Sequence, residues 1–311
     1  SNILVVETVD DTFRRNFDTD AARVTVVNEP QMVEPADLVI DAGHDRIVVI
    51  DGFTETVLAI ARDGTNRRVV SDDDDAVGTT ASRLGLAALD VAGNRLFLHD
   101  RGRSPAALVA MDLDTGERTL VTLLSGLTDS RARGIAHDPS PGTGNERILL
   151  IDTGEKAVFA IDVATGTRTV LSDASTGAGD ALVEPLGLVV DTANGRALVS
   201  DYDASVRQSA LVAIDLATGD RSFVSPFLDP KARIGALALD AAGETVYGID
   251  GRRILAIDVS SDPTEGHRRV VSDEATGMGA GEAFGLPAGI AQDAGADRLG
   301  LLFHLLDVDF R

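Results

Sequence analysis

Charged side chains recur at one fixed place in this chain. Six apolar runs close on an aspartate: Asp41, Asp90, Asp138, Asp191, Asp240 and Asp293. The residue seven before each of these is Glu34, Arg83, Arg131, Glu184, Arg233 or, in the last case, Leu286, and Arg133 follows two places after Arg131. A guanidinium is a planar fork of donors that fits a carboxylate, sulfate or phosphate in a bidentate way. Gathered at one place, Arg83, Arg131, Arg133 and Arg233 outnumber Glu34 and Glu184, and would hold an anion with two or more of their number. The competing arrangement is an ion-pair network in which the two glutamates use up the arginines. His99 and His137 each precede an aspartate, Asp100 and Asp138, so they are the candidates for a histidine–carboxylate proton relay.

Other chemistries find little footing. There is no cysteine, hence no disulfide, thiolate metal site or thiol nucleophile. No Gly-x-Ser-x-Gly elbow occurs. The glycines of Gly277-Met278-Gly279-Ala280-Gly281 lack the strand-to-helix setting of a phosphate loop. The acidic run Asp72-Asp73-Asp74-Asp75 lacks the alternating spacing of a calcium loop and reads as a solvated face. The histidines His44, His99, His137, His267 and His304 show no metal-pair spacing. Ten Phe, two Tyr and no Trp leave few stacking platforms for a polysaccharide.

The elements that must position these residues form a repeat. The six aspartates are spaced 49, 48, 53, 49 and 53 residues apart. A second apolar run follows each and closes on Asp51, Asp100, Asp152, Asp201 or Asp250; the sixth repeat has Phe303 there instead. A third run, as in Val158-Phe159-Ala160-Ile161-Asp162, leads to a turn of the type Ala164-Thr165-Gly166. A fourth opens on arginine: Arg67, Arg118, Arg168, Arg221, Arg268. Four short strands per repeat of about 50 residues, with no competing helical period, predict an all-β fold. A four-stranded meander cannot bury both faces alone, so the repeats must stack around an axis.

The expected architecture is one domain over 1–311, a six-bladed β-propeller of four-stranded antiparallel blades. Blades start near 35, 84, 132, 185, 234 and 287, and residues 1–34 complete the last blade, so both termini close it. Phe13 to Phe17 and Arg23 to Val27 are expected as its third and fourth strands, while Leu4-Val5-Val6 or Leu305 to Arg311 could add an edge strand to it. The aspartates that end strands are expected to cap turns, and the arginines that open fourth strands to meet carboxylates or turn carbonyls.

The net charge is -22, with 38 Asp, 12 Glu, 26 Arg and only Lys156 and Lys231 as lysines. Such a field repels nucleic acid, and no apolar run approaches the ~20 residues of a membrane helix. Acidic, lysine-poor composition suits a salt-adapted protein. Ser1-Asn2-Ile3-Leu4 shows no charged-then-apolar leader pattern; the expected location is secreted or periplasmic, and the expected state a monomer.

The pattern Pro185-Leu186-Gly187-Leu188-Val189-Val190-Asp191, followed by Arg196-Ala197-Leu198-Val199-Ser200-Asp201, resembles the six-bladed propellers of the NHL-repeat and gluconolactonase-like (senescence-marker-like) group. The resemblance implies an axial site, which in the gluconolactonase-like enzymes holds a divalent cation on Glu, Asn and Asp side chains. Here the corresponding positions are Ala36, Gly85, Arg133, Leu186, Gly235 and Ala288, and the glutamate expected two before the first Pro is Val33. No metal site and no cofactor are therefore expected. The sequence favours a binding or scaffold propeller with a charged axial funnel, taking a small anionic ligand or a protein on its loop face. The alternative is a hydrolase or lyase acting on a small carboxylate- or uronate-bearing substrate in that funnel.

Overall fold

The computed structural model describes residues 3–7, 23–27, 33–72, 77–127, 132–139, 145–226, 232–260, 268–273, 287–293 and 298–303. The chain is an all-β propeller. Five blades are four-stranded antiparallel sheets in sequential order. The first is β3 (Pro35–Asp41), β4 (Arg46–Asp51), β5 (Val57–Ala61) and β6 (Arg68–Ser71). The second is β7 (Leu84–Asp90), β8 (Arg95–Asp100), β9 (Ala107–Asp112) and β10 (Arg118–Leu123). The third is β11 (Ala132–Asp138), β12 (Arg147–Asp152), β13 (Ala157–Asp162) and β14 (Arg168–Ser172). The fourth is β15 (Pro185–Asp191), β16 (Arg196–Asp203), β17 (Gln208–Asp215) and β18 (Arg221–Ser225). The fifth is β19 (Ala236–Leu239), β20 (Thr245–Asp250), β21 (Arg253–Asp258) and β22 (Arg268–Asp273).

The expected count of six complete blades is corrected to five among the described residues. The remaining strands make two separate two-stranded ladders, β1 (Ile3–Glu7) with β2 (Arg23–Val27) and β23 (Pro287–Asp293) with β24 (Arg298–Phe303). β23 lies between β19 and β3, and β24 lies beside β1, but no ladder of hydrogen bonds joins β24 to β1. The partner of Arg23–Val27 is also corrected: it is Ile3–Glu7, in register from Ile3 with Val27 to Glu7 with Arg23. The run Ile-Leu-Val-Val has the β-branched character a strand needs, and Phe-Arg-Arg-Asn-Phe does not. Phe13 to Phe17 lie outside the described residues.

Second strands such as Ile47-Val48-Val49-Ile50 are buried on both faces, because each blade is packed between two others and a strand covered on both sides need not alternate. The core accordingly lies between blades. Leu149, Ile151 and Val158 of the third blade meet Leu188, Val199 and Val212 of the fourth. Phe97 and Leu108 of the second meet Ile148 and Leu150 of the third. Fourth strands form the outer edge, where Leu120, Leu123 and Val170 are exposed.

Two polar devices repeat with the blades. At one rim the arginine that opens a second strand bonds the aspartate of its own first strand and then reaches the next blade. Arg147 donates from Nε to Asp138 at 2.7 Å and from Nη2 to the Leu216 carbonyl at 2.7 Å. Arg196 does so with Asp191 and the Val259 carbonyl, Arg95 with Asp90 and Glu146, and Arg46 with Asp41 and Asn94. Fourth-strand arginines meet loop carbonyls, as Arg168 does at Ser125 and Arg268 at Pro226. In the turns between third and fourth strands, Asp112 accepts from the backbone of Asp114 and Thr115. Gly116 there has φ +73°, and a Cβ on it would stand 2.2 Å from the Val70 carbonyl oxygen, which leaves glycine as the residue that fits.

Candidate functional site

At the opposite rim, the aspartates near the ends of four second strands grip the segments that lead into the first strands. Asp51 accepts from the backbone N–H of Val33 and Glu34, Asp100 from Ser82 and Arg83, Asp201 from Val183 and Glu184, and Asp250 from Arg233. These carboxylates are the turn caps expected from the sequence. They also set Glu34, Arg83 and Arg233 around the mouth of one central cavity, with Glu184 held against Arg233.

The cavity has a volume of about 1180 Å³ and is walled by the first strands. Its sides are largely aliphatic, with Leu38, Leu86, Ile135, Leu188, Leu237 and Ile290 among the lining. At the mouth the glutamates each take an arginine from the following blade. Arg83 Nη2 donates to both oxygens of Glu34, at 3.0 and 3.1 Å, and Arg101 Nη2 reaches Glu34 Oε1 at 3.2 Å. Arg233 Nη2 donates to Glu184 Oε1 at 2.6 Å and its guanidinium lies over the Tyr202 ring, 5.4 Å from the centroid. The expected surplus of free guanidiniums is thus reduced. Arg133 lines the cavity, is exposed to it, and has no carboxylate partner among the described residues. Arg131 and Leu286 lie outside the described residues. Arg101 was not among the residues the spacing singled out; its signal was only its place directly after Asp100.

The histidines do not come together as a relay. His99 is buried near the mouth, its Nδ1 lying 3.6 Å from where a Cβ on Gly85 would stand. His137 sits at the far end of β11. Its Nε2 is 2.9 Å from Glu146 Oε1 and its ring stacks on Phe97 with centroids 5.8 Å apart. The neighbouring aspartate expected to orient it, Asp138, instead takes Arg147. Asp90, His137 and Glu146 group closely enough to suggest a cation, but Arg95 Nη2 already bonds Asp90 at 2.6 Å and Glu146 at 2.7 Å. A guanidinium there supplies the positive charge the cluster needs. His267 and His304 lie outside the described residues.

The first strands carry one acid that sequence reasoning missed. Asp37 occupies the fourth place before Asp41, where the other repeats have Leu86, Gly134, Gly187, Ala236 and Gly289. It follows the register shift that breaks the β3–β4 ladder between Pro35 and Asp37, the kind of bulge that re-aims a side chain. Its Oδ1 accepts from Leu38 N at 2.9 Å and its Oδ2 from Ala87 N of the second blade at 2.9 Å. It lines the cavity, with protein packed around it and part of its surface open to the cavity. Burial in this apolar wall pushes its carboxyl up to about 7, against the opposing pull of the Ala87 and Leu38 amides. A Cβ on Gly289 would come within 3.0 Å of Oδ1. The signal in the sequence was the departure from the repeat at this one place.

The cation of the gluconolactonase-like enzymes does not fit this cavity. The side chains at the corresponding positions are Ala36, Gly85, Arg133, Leu186, Gly235 and Ala288; none donates an oxygen, and Arg133 would repel a divalent ion.

No protein-family model matches the sequence, and no characterised protein matches it either. Solved structures do resemble the fold. A chain of a nidogen/laminin complex superposes with a TM-score of 0.60 at 17% identity, covering 83% of this chain and 89% of that one. A gluconolactonase from Xanthomonas campestris superposes with a TM-score of 0.57 at 16% identity, covering 88% and 86%. The PQQ-bound aldose sugar dehydrogenase of Streptomyces coelicolor gives 0.57 at 13% identity, covering 88% and 95%. Likeness at this identity carries the propeller fold and no activity.

Proposed function

We propose that this propeller is a binding module whose axial funnel takes a small molecule bearing an anionic group. The observation that carries the reading is Arg133: a guanidinium without a carboxylate partner among the described residues, exposed in a cavity of about 1180 Å³. That volume is somewhat above the ~300–1,000 Å³ of common small-ligand sites and leaves room for such a ligand. The paired arginines at the mouth remain half-exposed, and exposed pairs of this kind are worth only about 0–1 kcal/mol. They can exchange a glutamate for a ligand anion at little cost. Isothermal titration with small carboxylates and inorganic phosphate tests the reading. Wild-type protein binds one equivalent in the funnel and Arg133→Met loses at least about tenfold in affinity, the scale of one charge-assisted contact. No binding to the wild type, or none of the loss in the variant, overturns it.

The hydrolase or lyase reading draws on the gluconolactonase neighbour. Its test is a screen of lactones, esters and uronates; turnover that responds to funnel substitutions would favour it over simple binding. We also read β23–β24 and β1–β2 as the two halves of a sixth blade that both ends of the chain complete, which the neighbourhood of β24 and β1 supports.

A further inference from the structure

We propose that Asp37 is a recognition site for a protonated amine, so that the ligand of the funnel is a small zwitterion: its carboxylate on Arg133, its ammonium on Asp37. The proposal deepens the anion-binding reading and rests on it for one end of the ligand only.

Three observations bring an ammonium to Asp37. First, the carboxylate is held but not neutralised. Each oxygen accepts one backbone N–H and keeps a second acceptor direction, and no cationic side chain pairs with it among the described residues. An ionised carboxylate set in an aliphatic wall is costly unless a cation joins it. That is the cause that pushes its titration up to about 7. Second, the position is particular to this one repeat. Five other first strands have an apolar residue or glycine there, so the acid is not part of the scaffold that every blade shares. Third, Asp37 and Arg133 stand one residue apart in depth. Pro35 and Ala132 occupy equivalent places, each opposite the aspartate that ends its second strand; Arg133 follows Ala132 by one and Asp37 follows Pro35 by two. Both residues line the same cavity, Asp37 from the first blade and Arg133 from the third. The chain's net charge of -22 favours approach of the cationic end.

The charged and titratable groups around Asp37 are few. Arg83 and Arg101 both donate to Glu34 at the mouth, and His99 lies behind Gly85. On the packed strands, β4 offers Asp51 and Arg46 at its two ends, β7 offers Asp90 at its far end, and β23 offers uncharged Gln292 and then Asp293, which takes Arg62. Two histidines, His99 and His137, also line the cavity, so a substitution at Asp37 is needed to assign any pH dependence to it.

The test compares butyrate, butylammonium and 4-aminobutyrate by titration calorimetry at about pH 8 and about pH 6, with wild type, D37N and R133M. Asparagine keeps an oxygen and the shape of the side chain, and thermal melting reports whether the variant folds. The expected result is that 4-aminobutyrate binds at least about tenfold more tightly than butyrate at about pH 8. That preference falls about tenfold at about pH 6, because the carboxyl has taken up its proton while the amine stays charged. In D37N the preference is about one at both pH values. Butyrate binding without any gain from the amine overturns the proposal and leaves the anion reading standing. Butylammonium binding without butyrate binding overturns the anion reading and keeps Asp37 as an amine site. Binding of none of the three overturns both. Should D37N not fold, the wild-type preference and its pH profile decide: a preference that does not weaken toward about pH 6 sinks the proposal.

Discussion

Asp37 makes a claim on stability as well as on ligands. In an unfolded chain its carboxyl titrates near 3.8, and in the folded protein near 7. Between these values the unfolded chain has released the proton that the folded chain keeps. Stability therefore falls as pH rises from about 4 to about 7 and is level above that, by at most about 4 kcal/mol for a shift of this size. Asp37→Asn should raise the melting temperature at about pH 8 and change it little near pH 3.5; a gain that is the same at both would show that the ionised carboxyl is not the cause. The residue was legible only as an exception. The repeat fixed where Glu34, Arg83, Glu184 and Arg233 would gather, since a seven-residue offset is a property of sequence. Asp37 sits beyond a register shift, and the direction a side chain takes after a bulge depends on how the ladder breaks, which spacing does not contain. The same limit applies to pairing: that Glu34 takes Arg83 and Glu184 takes Arg233 follows from the following blade's position in space.

Strands were the most readable level. Their period, their terminal aspartates and the Asx-type turns with glycine all follow from local chemistry, and the five complete blades carry them as expected. The closing sector was harder, because Ile3–Glu7 pairs with Arg23–Val27 across a long separation, so strand propensity favours it over Phe13 to Phe17 while adjacency in the chain does not. Blade-to-blade cohesion shows the arginine that opens the second strand of four blades in a role the spacing did not suggest. Arg147→Met removes a charge-assisted bond to Asp138, which is 1% exposed, and the bond to the Leu216 carbonyl. It should cost about 1–3 kcal/mol by chemical denaturation, with no change in ligand affinity at the far rim. A loss of less than about 0.5 kcal/mol would show that apolar packing alone joins the third and fourth blades.

At the scale of the molecule, a net charge of -22 on 311 residues repels itself in every compact state. Raising sodium chloride from about 0.05 to about 1 M screens that repulsion and should raise the melting temperature; a flat response would mean that the acidic surface is already neutralised by its arginines. Removing residues 1–27 takes β1 and β2 away from β24. The truncated protein should melt earlier and self-associate, as an uncovered strand edge does, and light scattering would read this directly.

The grip of Asp51, Asp100, Asp201 and Asp250 on the mouth has an evolutionary consequence. Each holds its segment by main-chain N–H groups, which every residue type except proline possesses. The side chains at 34, 83, 184 and 233 are therefore presented without being needed to hold themselves in place. Sequence drift can rewrite which molecule this funnel greets while the frame beneath stays unaltered, so one ancestral ring of blades could be re-addressed to many ligands by changes confined to its lip.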